Sequence, residues 1–202
     1  DKPYGKKNYW NEDGQLEEKV NYKDGYVSDI VFYNPNTGHK DKKVNYKDDV
    51  RNGKSTTWYE NGQIKSEENF KYGNKDGIST YWLESGLMEE ELTHNNGVIV
   101  ALKQFFYYEN DQIESIRNYE YELLNGMSTF WYESGQKSIE GFYKDGKADG
   151  KWTLWHRSGN KEEELNYKDG YEVDKTIFKY SFFTGDLKSK QNYKDSKCVS
   201  GC

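Results

Sequence analysis

An aromatic or histidine side chain returns to the same slot eight times along this chain, as Tyr22, Tyr46, Phe70, His94, Tyr119, Tyr143, Tyr167 and Tyr193, at spacings of 24, 24, 24, 25, 24, 24 and 26 residues. A fixed period of this length marks a supersecondary unit that cannot bury its apolar face alone and must stack on its neighbours. The period runs from Trp10 to Tyr193 without a break, so the expectation is one elongated repeat domain over residues 1–202, in eight units of about 24 residues.

Composition decides what those units are made of. Leu, Ile, Val and Phe total only 36 of 202 residues, and 32% of the chain is charged, a balance that by itself reads as disorder. Nineteen Tyr and six Trp reverse that reading, because regularly spaced aromatics carry enough buriable area to build a stacked core. Ala and Pro occur twice each, while Tyr, Asn, Gly, Thr and Lys abound, which favours strands and tight turns over helices. The net charge of −6, with acidic runs at 89–91 and 162–164, repels a phosphate backbone, so nucleic acid is excluded as a partner. No stretch approaches the ~18 apolar residues of a membrane span.

The third unit shows the pattern most plainly. Residues 53–60 form a strand-like run, Asn61-Gly62 a turn, residues 63–70 a second run, and a further turn ends at Gly77. Asn-Gly between two such runs is the signal of a hairpin with a two-residue primed turn. The same corner recurs at Asp13-Gly14, Thr37-Gly38, Ser85-Gly86, Ser134-Gly135, Ser158-Gly159 and Thr184-Gly185, with Asn110-Asp111 lacking the glycine. Between hairpins, turns are expected at Asp24-Gly25, Asp76-Gly77, Asp145-Gly146, Asp149-Gly150 and Asp169-Gly170. The fold class is all-β: an elongated, open antiparallel meander of about eight stacked β-hairpins and about sixteen short strands, twisted because flat sheets of that size are rare.

Strand alternation assigns columns. Trp10, Phe32, Trp58, Trp82, Tyr107, Trp131 and Trp155 form one, expected to be buried core, while the second, more charged strand of each unit reads as its solvated outer half. Asn21, Asn45, Asn69, Asn118, Asn166 and Asn192 precede the aromatic slot and read as a stacked Asn ladder bonding backbone. Gly5, Gly53, Gly77, Gly126 and Gly150 lie five residues before the Trp column, where a missing side chain permits close strand approach.

The succession of Gly-Lys, an aromatic pair, acidic-Asn-Gly and Tyr-Lys-Asp-Gly resembles the MORN repeat in its bacterial variant form, and is similar to the YwqK-type antitoxin family. Gly53, Trp58, Tyr59, Glu60, Asn61 and Gly62 carry the likeness, as do Gly126, Trp131, Tyr132, Glu133 and Gly135, and Gly150, Trp155 and Gly159. The resemblance implies an open curved sheet of hairpins, no catalysis, and a surface that binds proteins or lipid. Units two and eight depart from it, with longer corners at 33–38 and 180–185 and no glycine ahead of the aromatic column.

No catalytic, metal or cofactor constellation is expected. His39, His94 and His156 fall in different repeats and columns, and the Asp-Gly corners lack the oxygen-rich run of a calcium loop. The chain therefore reads as a non-enzymatic module that binds a protein partner, such as a toxin it neutralises, through an aromatic-lined face. Tyr59, Tyr108, Tyr132 and His156 are its candidate contacts. The alternative is a self-assembling structural or envelope protein pairing through its end strands. A start at Asp1 without an apolar leader fits a secreted, periplasmic or cell-surface protein after signal removal, favoured slightly over the bacterial cytoplasm, and it fits a trimmed chain as well. Cys198 and Cys202, four apart, can close a disulfide loop in an oxidising compartment or stand as two thiols.

Overall fold

A computed structural model describes residues 2–181, 184–194 and 197–201, with Cys198 by its backbone alone, so the proposed Cys198–Cys202 bridge lies outside the described residues. Two compact units, 1–102 and 103–202, are described in turn. The described residues hold nineteen strands and no helix.

In the first unit β1 (Gly5–Trp10), β2 (Leu16–Lys23), β3 (Tyr26–Tyr33), β4 (Lys40–Lys47), β5 (Val50–Trp58) and β6 (Ile64–Lys71) pair antiparallel in chain order. β7 (Asn74–Lys75) and β8 (Gly77–Trp82) both pair with β6, and β8 pairs with β9 (Met88–Asn95). The division between the units falls inside β10 (Val98–Tyr107).

The second unit repeats the plan. β12 (Leu123–Leu124) and β13 (Gly126–Trp131) share the partner β11 (Ile113–Glu120). From β13 the meander runs through β14 (Lys137–Lys144), β15 (Lys147–Trp155), β16 (Lys161–Lys168), β17 (Tyr171–Tyr180), β18 (Leu187–Lys194) and β19 (Lys197–Ser200). The count exceeds sixteen because bulges split two strands and β19 adds one.

Two corner types alternate, and the primed turns do not lie at the hairpin corners where the sequence places them. At Asn61-Gly62 only the glycine has positive φ (84°); Gly62 N donates to Tyr59 O (2.9 Å) and Tyr59 N to Gln63 O (2.8 Å), a type I turn closed by a glycine bulge. The same pair of bonds closes the corners at 83–87, 132–136 and 156–160, and Asp111 (φ 63°) fills the glycine's place where the sequence lacks one. The primed two-residue turns lie between hairpins, where both central residues have positive φ: Asp24-Gly25, Asp48-Asp49, Tyr72-Gly73, Asn96-Gly97, Tyr121-Glu122, Asp145-Gly146 and Asp169-Gly170. Within each unit, type I corners therefore edge the sheet at one end of the strands and primed turns at the other.

Asp76-Gly77 and Asp149-Gly150, expected as turns, are bulges within the sheet. Across β4–β5, Val44 faces Ser55 and Tyr46 faces Arg51, so three residues, Asn52, Gly53 and Lys54, oppose Asn45 alone. The glycine is needed for its φ (87° at Gly53, 99° at Gly126) more than for space, since nothing lies within 4 Å of a Cβ built at Gly150.

The asparagines of this column serve the bulge rather than one another, so among the described residues they form no Asn–Asn ladder. Asn69 Nδ2 donates to Ile78 O (2.7 Å), and Asn118 Nδ2 to Met127 O. Units two and eight lack the glycine and carry one extra residue instead of two; there Asn21 and Asn166 turn to carboxylates, Asp29 Oδ2 (2.6 Å) and Asp174 Oδ1 (2.5 Å). The longer corner of unit two also moves Tyr33, not Phe32, opposite Lys40, the register that Trp58 holds opposite Ile64.

The core sits elsewhere than expected. Buried apolar side chains are Val20, Val44, Phe70, Leu92 and Leu165, all on second strands of repeats, the half read as solvated. Between them Ser55, Ser79, Ser115 and Ser128 are wholly buried. Residues this small are hidden only where bulkier neighbours arch across them, which is how a meander without helices shields its centre line. The Trp column, expected as core, is half-buried at Trp58, Trp82 and Trp131 and 56% exposed at Trp10.

Candidate binding surface

Three of the residues singled out by sequence share one geometry. Each phenol donates to the backbone carbonyl of the tryptophan one repeat ahead: Tyr59 to Trp82 O (2.7 Å), Tyr108 to Trp131 O (2.6 Å) and Tyr132 to Trp155 O (2.7 Å). The rings are half-buried struts between successive corners. Burial, with the nearby Glu89 and Glu84 carboxylates, raises the Tyr59 phenol above its ordinary pKa, so it stays a donor. Corner backbones are tied as well, by His39 Nδ1 donating to Glu60 O (2.9 Å) and Asn61 Nδ2 to Glu84 O (2.9 Å).

In the second unit this corner edge is hollowed. A cleft of about 450 Å³ is lined by Asn110, Tyr132, Glu133, Ser134 and Arg157, with the Arg157 guanidinium 5.4 Å from the Tyr132 ring centroid. A second, of about 440 Å³, is lined by residues that include His156, Ser158, Lys161, Glu162, Phe178 and Tyr180. The corner 156–158 contributes to both, Arg157 to one and His156 with Ser158 to the other. His156 is exposed, and its Nδ1 accepts from Ser158 N (3.2 Å), which fixes the ring over its own corner.

Thus Tyr132 and His156 fall on one edge with two clefts, Tyr108 is a strut at the neighbouring corner, and Tyr59 belongs to the first unit. Sequence reading missed Glu133, Arg157, Phe178 and Tyr180. A signal for Arg157 was present: Glu60, Glu84, Glu109 and Glu133 occupy that corner position in earlier repeats, so Arg157 reverses its charge.

The first unit holds a polar cluster on its inner strands. Lys75 Nζ pairs with Glu68 Oε1 (2.5 Å) and donates to Tyr81 OH (2.9 Å), whose own proton goes to Glu68 Oε1 (2.7 Å). Burial pushes the Glu68 carboxyl up, and the hydrogen bonds from Lys75 and Tyr81 outweigh it, leaving it below its usual value. His94, 6% exposed, occupies the slot of Phe70, with Nδ1 3.4 Å from Ser79 Oγ. This closed set satisfies itself within the sheet and is architecture. Among the described residues no three His, Cys, Asp or Glu side chains group as metal ligands, and no helix is long and apolar enough to cross a membrane.

Hairpins bounded by type I corners on one edge and primed turns on the other, with glycine bulges between, define an all-β hairpin-repeat protein. The MORN repeat variant model matches residues 3–24, 51–72, 102–121, 124–145 and 148–169, more than half of the chain, and the chain belongs to that family. The unmatched repeats are the second and eighth, with longer corners and no bulge glycine, and the fourth, with Leu83 for the strut tyrosine and His94 in the aromatic slot.

No curated protein matches. Among solved structures, the chain is similar to a TcdB2-TccC3-TEV crystal structure (13% identity, TM-score 0.31) over 96% of its own length and 11% of the other chain. It is also similar to a porin-like protein from Bacteroides uniformis (12% identity, TM-score 0.21), over 96% of its own length and 85% of the other. The chain thus spans about a tenth of the first of these, and likenesses at such TM-scores bear on nothing further.

Proposed function

We propose that this chain is a non-enzymatic protein-binding module whose contact surface is the corner edge of residues 103–202. The observation that carries the reading is the pair of clefts meeting at corner 156–158, where Tyr132, Phe178 and Tyr180 stand beside the charges of Glu133, Arg157, Lys161 and Glu162. Rigid aromatics with charged groups at their margins suit recognition of a folded protein, because they contribute area at little entropic cost. Membership of a repeat family supports a binding role, since stacked units present an extended surface. The likeness to YwqK-type antitoxins extends the proposal to an immunity-like role, in which the partner is a toxin held inactive.

Serine at Tyr59, Tyr108 or Tyr132 removes a strut as well as a ring, so the surface is better tested at exposed positions. The intact chain and a Glu133→Ala, His156→Ala, Arg157→Ala variant serve as baits in the source organism's lysate, with mass spectrometry as readout. The expected result is one protein in stoichiometric amount that the variant fails to retain. Equal retention by the variant, or recovery of the bait alone, overturns the reading, and the second outcome points to self-assembly.

A further inference from the structure

In each unit the edge of primed turns carries strongly exposed tyrosines: Tyr72 (78%) and Tyr26 (44%) in the first, Tyr171 (79%) and Tyr121 (67%) in the second. Tyr72 and Tyr121 are also strained. They hold the first position of their turns at φ 49° and 47°, the left-handed region that a bulky side chain enters at a cost, where the equivalent turns use Asp24, Asp48, Asn96, Asp145 and Asp169. A tyrosine there buries little and loses backbone energy relative to Asn or Asp. Residues held in such conformations without a packing return concentrate at contact sites.

In the first unit Tyr72 borders a cleft. About 290 Å³ lies between its ring and Lys47, Asp48, Val50 and Asn52, and a neighbouring cleft of about 350 Å³ shares Lys47 and Asp48 and reaches Asp24 and Tyr26. The turns are locked together beneath it, since Gly73 N donates to Arg51 O (2.9 Å) and Asp49 Oδ1 accepts from Val27 N (3.1 Å). The row is therefore a fixed track of aromatic faces with carboxylates between them.

What such a track accepts is shown by the chain itself. Lys2 lies against the Gly25 turn with its Nζ 5.4 Å from the Tyr26 ring centroid, a basic side chain stacked on a turn-edge tyrosine whose turn also carries Asp24. The second unit repeats the pairing of tyrosine with carboxylate at Glu120-Tyr121-Glu122 and at Tyr171-Glu172. A tyrosine face with an adjacent carboxylate is the recognition chemistry of an ammonium or guanidinium group. The net charge of −6 attracts the same class of partner. Lys23 and Lys47 are the cations lining the clefts, Lys47 alone beside Tyr72; both are exposed, on flexible stems that keep their heads in water.

We propose that the turn edge of residues 1–102 docks an arginine- or lysine-bearing segment of a partner protein, with Tyr72 as stacking platform and Asp48 as counter-charge. This surface is separate from the corner clefts of residues 103–202, and the result for either leaves the other standing.

The test is an NMR titration of the full chain with a hexa-arginine peptide, with hexaglutamate as control. Saturable shifts at Tyr72, Asp48 and Val50 are expected with hexa-arginine alone. Tyr72→Asn installs a residue that another turn already uses, so its thermal midpoint should equal or exceed the parent's, while its affinity for the peptide falls by about fivefold or more, the scale of one cation–π contact. Binding by the Tyr72→Asn variant within a factor of about two of the parent would mean that the net charge alone attracts the peptide and would overturn the proposal. So would unmoved Tyr72 signals at saturation.

Discussion

Single residues in this protein do two jobs that their type alone does not separate. Tyr132 looks like a contact residue in sequence, yet its hydroxyl is bonded to Trp155 O one repeat away. Tyr132→Phe keeps the ring and should cost about 1 kcal/mol in denaturant unfolding; no measurable change would mean the strut does not contribute. His94 shows the same ambiguity. Burial and then the Lys75 charge hold its imidazole below the usual value, so the unfolded chain binds a proton that the folded chain resists. Its contribution to stability is thus complete above the ordinary His pKa of about 6.5 and is lost as pH falls from there toward the lower folded value. Glu68, lowered as well, loses its contribution only at more acid pH. The thermal midpoint should therefore drop between pH 7 and pH 5 in the parent and much less in His94→Phe, which installs the residue found at position 70. Equal slopes would remove His94 from the account.

At the scale of the element, backbone chirality decides more than side-chain identity. Hairpins, their number and their spacing were legible in the sequence because Gly recurs with the period. Which corner takes the primed turn was not, because Asn-Gly serves both a two-residue primed turn and a type I turn with a glycine bulge, and only the register separates them. The bulges at Gly77 and Gly150 were misread as turns for the same reason: Asp-Gly marks a positive φ wherever it occurs. Asp111, alone in holding the corner's left-handed position without glycine, gives a direct check. Asp111→Gly should raise stability by about 0.5–1 kcal/mol, since the strain relieved exceeds the entropy added to the unfolded chain. A loss would show that Asp111 makes a contact worth more than its strain. The faces were likewise only half legible: the Trp column is large and regular, but it lies toward the corner edge, and the centre line belongs to serine and valine. Trp131→Ala should accordingly cost about 2 kcal/mol, below the 3–5 kcal/mol of a fully buried aromatic.

At the scale of the whole molecule, stability is a sum over repeats and their junctions. Deleting residues 124–147, one full period, should leave a cooperative transition, because every remaining strand keeps its register and the corners keep their partners. Deleting residues 124–135 joins strands out of phase and should abolish it. Repetition also explains why the fold was easier to read than the site. The period fixes what the units share, whereas the proposed contact surface is built from what they do not share: Arg157 where other repeats place Glu, and Phe178 and Tyr180 beside the long eighth corner. Hydrogen exchange of the chain with and without its captured partner bears on this most directly. Protection should concentrate at residues 132–135 and 156–159, and exchange there at the rate of the free chain would contradict the assignment of the binding surface.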